Sequence, residues 1–324
     1  MKPIRAAVIG VGSFGKNHVR VISELPDVEL AAVVDTDLAR AAQLAQEFGS
    51  VSFASIDHLP AGIDAAIIAT PTVTHEAIST RLLQNGIDVL VEKPIADTSA
   101  AGERMARCAA EHGKILQVGH LERFNPAVMA LEKALTVPLF FEVHRLSVFT
   151  PRSLDVDVVL DLMIHDLDIV LSFTKQLPNE VRAAGISVLS NRVDIANVRL
   201  SFATGCIANL TASRVSTEQI RKLRIFQPGE YISLDYHRQD ATRLAVRKNE
   251  ANPIDFVSLP VAKAEPLRLE LEAFFAVVRQ RSAPRVDGVE AVNALRLAEQ
   301  ILAKIKEHEE LVAETVRRAS SRLP

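Results

Sequence analysis

The sequence predicts an α/β protein of two domains. The first domain has a parallel sheet covered by helices, and the second is an α+β domain with an open, largely antiparallel sheet. Three observations predict this fold. Strands and helices alternate over the first third of the chain, which is typical of parallel sheets with right-handed crossovers. A glycine-rich turn follows the first strand, and beyond residue 121 alternating apolar and polar residues dominate.

Length and charge set further bounds. A chain of 324 residues is long for one hydrophobic core, so we assign domains to residues 1–121 and 122–324. We expect the closing helix, at about 286–316, to pack back on the first domain. A net charge of −3, with 24% charged residues, provides no basic field for nucleic acid, so we expect no nucleic-acid partner.

The sequence also favours a cytoplasmic location. No apolar run approaches the ~20 residues that span a bilayer, and the N-terminus lacks the layout of a signal peptide. We therefore expect no membrane insertion. Cys108 and Cys206 are far apart and belong to no CxxC motif, which indicates a reducing compartment rather than a disulfide or zinc framework.

The turn after the first strand has the pattern of a dinucleotide-binding site. A strand is predicted at Ile4–Ile9 and a helix from about Phe14, with Gly10, Gly12 and Gly15 between them. GxGxxG alone is a weak signal, but here it has the required strand–turn–helix context. The first glycine permits the turn, the second lets a pyrophosphate approach, and the third allows close packing. The helix N-terminus attracts the anion. These features predict a Rossmann domain.

Asp35 ends the second strand, about 20 residues after the glycines, where the acceptor for the ribose hydroxyls is expected. Its charge would repel a 2′-phosphate, so the sequence predicts NAD rather than NADP. Arg40, one turn into the next helix, argues the other way, because Arg is the usual partner of a 2′-phosphate. The alternative interpretation is that Asp35 only caps that helix.

The stretch "VLVEKPIAD", residues 89–97, ends a buried strand on Glu92 and Lys93. A charged pair there is costly unless it has a partner or a role, although strand ends that enter solvent also carry such residues. Ligands of parallel sheets bind outside the carboxyl ends of the strands, where Asp35 and Thr70 also lie. We therefore place Lys93 at the mouth of the cofactor cleft.

A second chemical group lies on a predicted helix that begins near Val159. Asp161 and His165 are four residues apart, so they share a helix face, to which Asp168 also belongs. An isolated D-x-x-x-H is more often a solvated or capping acid with a buried histidine, and a metal site is a third interpretation. A closed metal site needs three or four ligands, and no second cluster is evident, so we expect no metal.

The order of these motifs resembles the Gfo/Idh/MocA oxidoreductases. The likeness covers nearly the whole chain: GxGxxG, strand-end "EKP", D-x-x-x-H, then an antiparallel sheet. "ATPTVTHE" and the C-terminal "DGVEAVNALRLAEQIL" also fit the family. The resemblance implies that Lys93, Asp161 and His165 are catalytic, and that the open-faced sheet builds a homodimer or homotetramer. The predicted cofactor-binding residues are Gly10, Gly12, Ser13, Phe14, Gly15, Asp35, Arg40, Thr70, Pro71, His75, Glu92 and Lys93.

A narrower resemblance concerns the substrate. "QVGHLERFNPA" and "RSLDVDVVLDLMIHDLD" resemble the branch that oxidises the 3-hydroxyl of UDP-N-acetylglucosamine. That branch supplies an aminotransferase, a possible partner, in 3-amino sugar synthesis of the lipid A type. Arg123, Arg145 and Arg152 would suit a diphosphate, and the alternative interpretation is that they are structural ion-pair residues. The predicted substrate-binding residues are His120, Arg123, Asn125, Arg152 and His165.

The predicted reaction is oxidation of a secondary alcohol by hydride transfer to NAD. His165 is the preferred base, because the ordinary pKa of histidine, about 6.5, lies near neutral pH. Lys93 is the alternative base, since desolvation beside a positive nicotinamide would lower its pKa. Asp161 would orient the pair. Two other functions stay open: a dehydrogenase acting on inositol, a free sugar or another polyol, and a non-catalytic NAD-binding regulator.

Overall fold

The computed structural model describes residues 2–150, 156–246 and 254–320. The chain forms two compact units. Unit 1 comprises Met1–Phe124 and Ala264–Val292, and unit 2 comprises Asn125–Lys263 and Asn293–Pro324. No helix of the described ranges combines the length and the apolar character needed to cross a bilayer.

The strands are β1 (Ile4–Ile9), β2 (Val28–Val34), β3 (Ser52–Phe53), β4 (Ala65–Ile68), β5 (Asp88–Glu92), β6 (Leu116–Gly119), β7 (Phe140–Val148), β8 (Glu180–Ile186), β9 (Ile195–Ser201), β10 (Ile207–Ser216), β11 (Ile220–Gln227), β12 (Glu230–Asp235), β13 (Asp240–Val246) and β14 (Ile254–Ser258). The α-helices are α1 (Gly15–Ser23), α2 (Leu38–Glu47), α3 (His75–Gln84), α4 (Ser99–Glu111), α5 (Pro126–Ala134), α6 (Ile164–Thr174), α7 (Pro266–Gln280) and α8 (Gly288–Ser320).

The sheet of unit 1 is parallel throughout. Its strand order, β3-β2-β1-β4-β5-β6, is that of a Rossmann fold. The central strands are buried on both faces, which explains their near-continuous apolar sequences. The predicted Rossmann sheet is therefore confirmed. The edge strand β3 was not predicted, because two residues carry no periodicity.

Helix α7, far along the sequence, completes the core of unit 1. Leu271, Phe274 and Phe275 lie in the same buried cluster as Val19 and Ile22 of α1. The three α7 residues recur at helical spacing and so occupy one face of the helix.

Polar side chains set several helix starts. Asp37 caps α2 and Thr98 caps α4 by accepting backbone N–H bonds. Asn125 caps α5, and Pro126 occupies its first position, where no N–H partner is needed. The sequence "LERFNPAVMALEKAL" predicts one helix from residue 121, which is wrong, because a 3₁₀ turn at Leu121–Phe124 precedes α5.

The sheet of unit 2 has eight strands in the order β14-β13-β12-β11-β7-β10-β9-β8. All neighbours are antiparallel except β7 and β10, which are parallel. The prediction of a largely antiparallel sheet is confirmed, and so is the mixed fold class. Strand β14 was not predicted.

One face of this second sheet is buried and the other is open. On β7, Phe141 and Val143 are buried while Phe140 and Glu142 are partly exposed, as expected for strand alternation. The buried face shares one apolar cluster with α5, α6 and the segment Leu297–Ile305 of α8.

Candidate active site

The glycine turn of unit 1 has the geometry that its motif predicts. Gly10 has a φ of +82°, and a Cβ there would lie 2.7 Å from the carbonyl oxygen of Ala69. A Cβ on Gly15 would lie 1.9 Å from the carbonyl oxygen of Gly10, so only glycine allows this approach. A Cβ on Gly12 would meet nothing within 4 Å, which leaves the backbone open to a ligand at the N-terminus of α1.

Asp35 is buried and ties the glycine turn to the second strand. Its Oδ2 accepts the N–H of Val11 at 2.8 Å, and its Oδ1 accepts the N–H of Asp37 at 2.9 Å. The cap of α2 is Asp37, which accepts the N–H of Arg40 at 3.1 Å. The alternative that Asp35 caps this helix is therefore wrong.

Arg40 lies beside both acids. Its Nη1 is 3.5 Å from Asp35 Oδ2, and its Nη2 is 3.1 Å from Asp37 Oδ2. Two carboxylates therefore compete with any phosphate for this half-exposed guanidinium. The arrangement favours a ribose with free hydroxyls over a 2′-phosphate.

A cleft of about 590 Å³ opens above the glycine turn, within unit 1. Its volume and its open, anion-attracting floor fit a dinucleotide. The predicted cofactor-binding residues that line it are Gly10, Gly12, Ser13, Phe14, Asp35, Arg40, Thr70 and Pro71. Ser55 and Thr74 also line it and were missed. Ser55 follows the unpredicted β3, which explains the omission.

His75 does not line this cleft but lies behind it. The side chain is 1% exposed, with Nε2 2.9 Å from the carbonyl oxygen of Thr70 and Nδ1 3.1 Å from that of Pro94. Burial lowers the pKa of His75, because it disfavours the imidazolium, although the carbonyl oxygens oppose this effect. A neutral ring donates to one carbonyl at a time, and a charged ring donates to both.

Glu92 is not a solvated strand end. Its Oε1 lies 2.7 Å from Nε2 of His18, a fully buried residue of α1. Its carboxylate also fills the space that a side chain on Gly119 would need, since a Cβ there would lie 3.0 Å from Oε2. Lys93 follows directly and is half-buried. Neither Glu92 nor Lys93 lines the cleft, so their assignment to cofactor binding stays a prediction.

Glu270 on α7 is another buried acid of this unit. It is 0% exposed, and among the described residues neither of its oxygens has a hydrogen-bond partner. Burial, and then the negative charge of Glu92, raise the pKa of Glu270 well above its ordinary value. Burial therefore disfavours the charged form of this carboxyl.

In unit 2, the segment with Asp161 and His165 is not a plain α-helix. Val159–Met163 forms a π-helical turn, and α6 begins at Ile164. Such turns frequently occur at functional sites. Asp161 and His165 are both half-buried, so they lie on the accessible stripe of the segment. Asp168, predicted on the same face, is only 2% exposed.

Buried ion pairing anchors this segment. Asp166 accepts two bonds from Arg145 on β7, from Nε at 2.7 Å and from Nη2 at 2.8 Å. The guanidinium also lies 5.0 Å from the ring centroid of Tyr236. Of the two interpretations of Arg145, the structure thus agrees with the ion pair. Upstream, Asp157 accepts the N–H of Val193 at 3.0 Å.

The remaining predicted substrate residues are mostly buried. His120 is 1% exposed, and Arg123 is 4% exposed with its Nη2 donating to the carbonyl oxygen of Arg285. Both polar atoms of Asn125 have partners: Oδ1 accepts the N–H of Ala127 and Nδ2 donates to the carbonyl oxygen of Tyr236. Arg152 lies outside the described residues, so its role stays a prediction.

Comparisons with known proteins identify the family of this chain. Residues 4–120 match the oxidoreductase family with an NAD-binding Rossmann fold, and residues 140–227 match the GFO/IDH/MocA C-terminal domain. UDP-N-acetylglucosamine 3-dehydrogenase of Acidithiobacillus ferrooxidans is 35% identical over 94% of this chain and 97% of its own. A solved structure of that enzyme has a TM-score of 0.89 and 34% identity, covering 95% of this chain and 99% of its own.

A more distant relative is inositol 2-dehydrogenase of Rhizobium meliloti, 26% identical over 95% of this chain and 98% of its own. The predicted family, the enzyme class and the NAD-binding domain are therefore confirmed. The chain belongs to the Gfo/Idh/MocA oxidoreductases.

Proposed function

We propose that this protein oxidises the 3-hydroxyl of UDP-N-acetylglucosamine, with NAD as cofactor, to the 3-oxo sugar nucleotide. One observation carries the proposal: the enzyme of that name is 35% identical over nearly the full length, whereas the inositol enzyme is 26% identical. The product would feed a 3-amino sugar route of the lipid A type through an aminotransferase.

NAD, when bound, accepts a hydride from the substrate carbon. The protein would hold the pyrophosphate at the open backbone of Gly12 and the ribose hydroxyls at Asp35. The 2.8 Å bond from Val11 to Asp35 supports this role, because it fixes the carboxylate beside the turn. The remaining lone pairs of that carboxylate can accept hydroxyl protons.

The catalytic residues that we propose are Lys93, Asp161 and His165. A secondary hydroxyl must lose its proton as the hydride leaves, so a base has to contact it. His165 is the preferred base, Lys93 would stabilise the developing alkoxide, and Asp161 would orient the pair; Lys93 as base is the alternative. The half-buried positions of all three residues support these roles.

Substrate recognition is proposed for His120, Arg123, Asn125 and Arg152. Arg123 and Asn125 already form hydrogen bonds within their own units. We therefore propose that their main role is to shape the site and that contact with the substrate is secondary. Arg152 retains the proposed contact with the diphosphate.

The direct experiment is to incubate the protein with NAD and follow NADH absorbance. The panel contains UDP-N-acetylglucosamine, free N-acetylglucosamine, UDP-glucose and myo-inositol. We expect the UDP-sugar to react fastest, because the remote nucleotide supplies binding energy that holds the reacting carbon. Fastest turnover of the polyol would favour the inositol relatives, and no turnover with any compound would favour an NAD-binding regulator.

We also propose a cytoplasmic homodimer or homotetramer formed through the open face of the second sheet. Cross-strand pairing aligns apolar side chains into one row across six strands. The row contains Ile207, Phe140, Phe226, Tyr231, Leu244 and Phe256. Phe256 is 70% exposed, and a row of this kind commonly marks an interface. Light scattering of the Phe226→Glu variant tests the proposal, with the monomer mass as the expected result and an unchanged mass as the contrary one.

A further inference from the structure

Lys93 lies just beyond the sheet that carries it. The last ladder pair of β5 joins Glu92 to Gly119, so the sheet does not fix the residues that follow. A catalytic side chain at this place needs its backbone held by other groups, because a displacement of about 1 Å can cost about 100-fold in rate.

Two buried histidines hold the residues on either side of Lys93. On the N-terminal side, Nε2 of His18 contacts the carboxylate of Glu92 at 2.7 Å. On the C-terminal side, Nδ1 of His75 contacts the carbonyl oxygen of Pro94 at 3.1 Å. The two histidines are 0% and 1% exposed, so neither contact is loosened by solvent.

Each histidine also lies on a helix that borders the cofactor cleft. His18 lies on α1, whose N-terminal end is formed by the glycine turn. His75 lies at the start of α3, and its Nε2 contacts the carbonyl oxygen of Thr70, which lines the cleft. A displacement of either helix would therefore move the residue before or after Lys93 through these contacts.

We propose that His18 and His75 are positioning residues that fix the backbone of Lys93 relative to the bound cofactor. The inference rests on the proposed function, in which Lys93 is catalytic. It assigns the two histidines no contact with cofactor or substrate. The sequence predicted that His75 binds the cofactor. The present inference instead assigns it a role in positioning Lys93.

The two ring nitrogens of His75 can be tested separately. An Asn amide nitrogen lies about as far from the backbone as Nδ1, whereas a Gln amide nitrogen lies about as far as Nε2. His75→Asn keeps an amide nitrogen near the position of Nδ1, facing Pro94, and removes the group that faces Thr70, and His75→Gln does the reverse. For His18, Gln keeps the donor to Glu92 and Asn loses it. His308→Gln is the matched control, because His308 contacts a carbonyl oxygen, that of Gly185, in unit 2.

We expect kcat to fall about 10- to 100-fold in His75→Gln and His18→Asn, and to stay within about threefold in His75→Asn, His18→Gln and the control. NAD affinity, titrated without substrate, should weaken in His75→Asn more than in His75→Gln. Thermal unfolding identifies any variant that fails to fold, and rates are expressed per folded molecule.

A readout without turnover separates this inference from the proposed function. Amide hydrogen exchange at residues 92, 93, 95 and 96, with and without NAD, should be faster in His75→Gln and His18→Asn than in their partner variants. If the wild type oxidises no sugar nucleotide but this exchange pattern appears, the positioning role stands and the proposed function fails. Equal exchange within both pairs, or equal loss of kcat in His75→Asn and His75→Gln, overturns the positioning role.

Discussion

Glu270 of unit 1 and Asp194 of unit 2 are both 0% exposed, and their surroundings are opposite. Glu270 of unit 1 has no hydrogen-bond partner among the described residues, and its pKa is raised. Burial would also raise the pKa of Asp194 in unit 2. However, bonds from the Ser190 hydroxyl and from the N–H groups of Leu189, Val188 and Ser190 hold it at about 2. The comparison indicates that hydrogen bonding, more than burial, sets the direction in which the pKa of an enclosed carboxyl shifts.

The largest expected effect comes from removing Asp194, the carboxyl that has hydrogen-bond partners. Asp194→Ala should lower the free energy of unfolding at pH 7 by roughly 3 kcal/mol, because several N–H groups lose their acceptor. The pKa of Asp194 is about 2 against an ordinary 3.8, so its stabilisation is present above pH 4 and lost as pH falls towards 2. Urea unfolding across this pH range measures both effects. The exposed Asp240→Ala is the control, and a constant difference at all pH values would contradict the assignment.

The second effect concerns Lys93. This residue follows Glu92, whose negative charge raises the pKa of Glu270. Lys93→Met should reduce turnover by about 100-fold or more, as for a positioned acid–base group, and leave NAD binding and folding intact. Steady-state kinetics and an NAD titration measure this outcome. Lys114→Met, at the opposite end of the same sheet, is the control. Unfolding of Lys93→Met, with turnover per folded molecule retained, would make Lys93 a structural residue.

The third effect removes the unpaired acid. Because the folded pKa of Glu270 is raised, its contribution to stability is complete below its ordinary pKa and is lost as pH rises towards the folded value. Glu270→Leu should therefore gain stability over the wild type as pH rises, by at most about 1.4 kcal/mol per pH unit. Glu270→Gln, which mimics the neutral acid, should show the same trend. Parallel stability curves from pH 4 to 8 would indicate that Glu270 is charged in the folded protein.

The smallest effect concerns Asp35, a buried acid that has two N–H partners but faces a cleft. The wild type should bind NAD more tightly than NADP, and Asp35→Ala should narrow the preference by about 10-fold, the scale of a lost charged hydrogen bond. Calorimetric titration of both cofactors checks this. Equal binding of NAD and NADP by the wild type would show that Arg40 outweighs Asp35.

Local rules explain what the sequence predicted well. The glycine turn, Asp35 and Lys93 all lie at strand ends, whose positions follow from apolar runs and turn residues within a few positions. The His18–Glu92 contact was not predictable in this way, since it joins residues 74 apart and depends on how α1 packs on β5. The bond between Arg145 and Asp166 likewise depends on the register of a helix on a sheet.

The π-helical turn at Val159–Met163 marks a further limit. Apolar spacing predicted a helix there, but one wider turn changes the spacing only locally. The pattern of side chains is too short to distinguish it from an α-helix. Asp168 was predicted on the same face as Asp161 and His165, whereas it is buried and they are half-buried.

The late position of α7 in the chain has a consequence for synthesis. Leu271, Phe274 and Phe275 belong to the core of the first sheet, yet they are translated after the whole sheet of unit 2. A nascent chain that ends at Phe124 therefore leaves the apolar surface around Val19 and Ile22 uncovered. That surface is available to chaperones until the ribosome has passed α7. A fragment cut after Phe124 should consequently aggregate unless residues 264–292 are supplied with it.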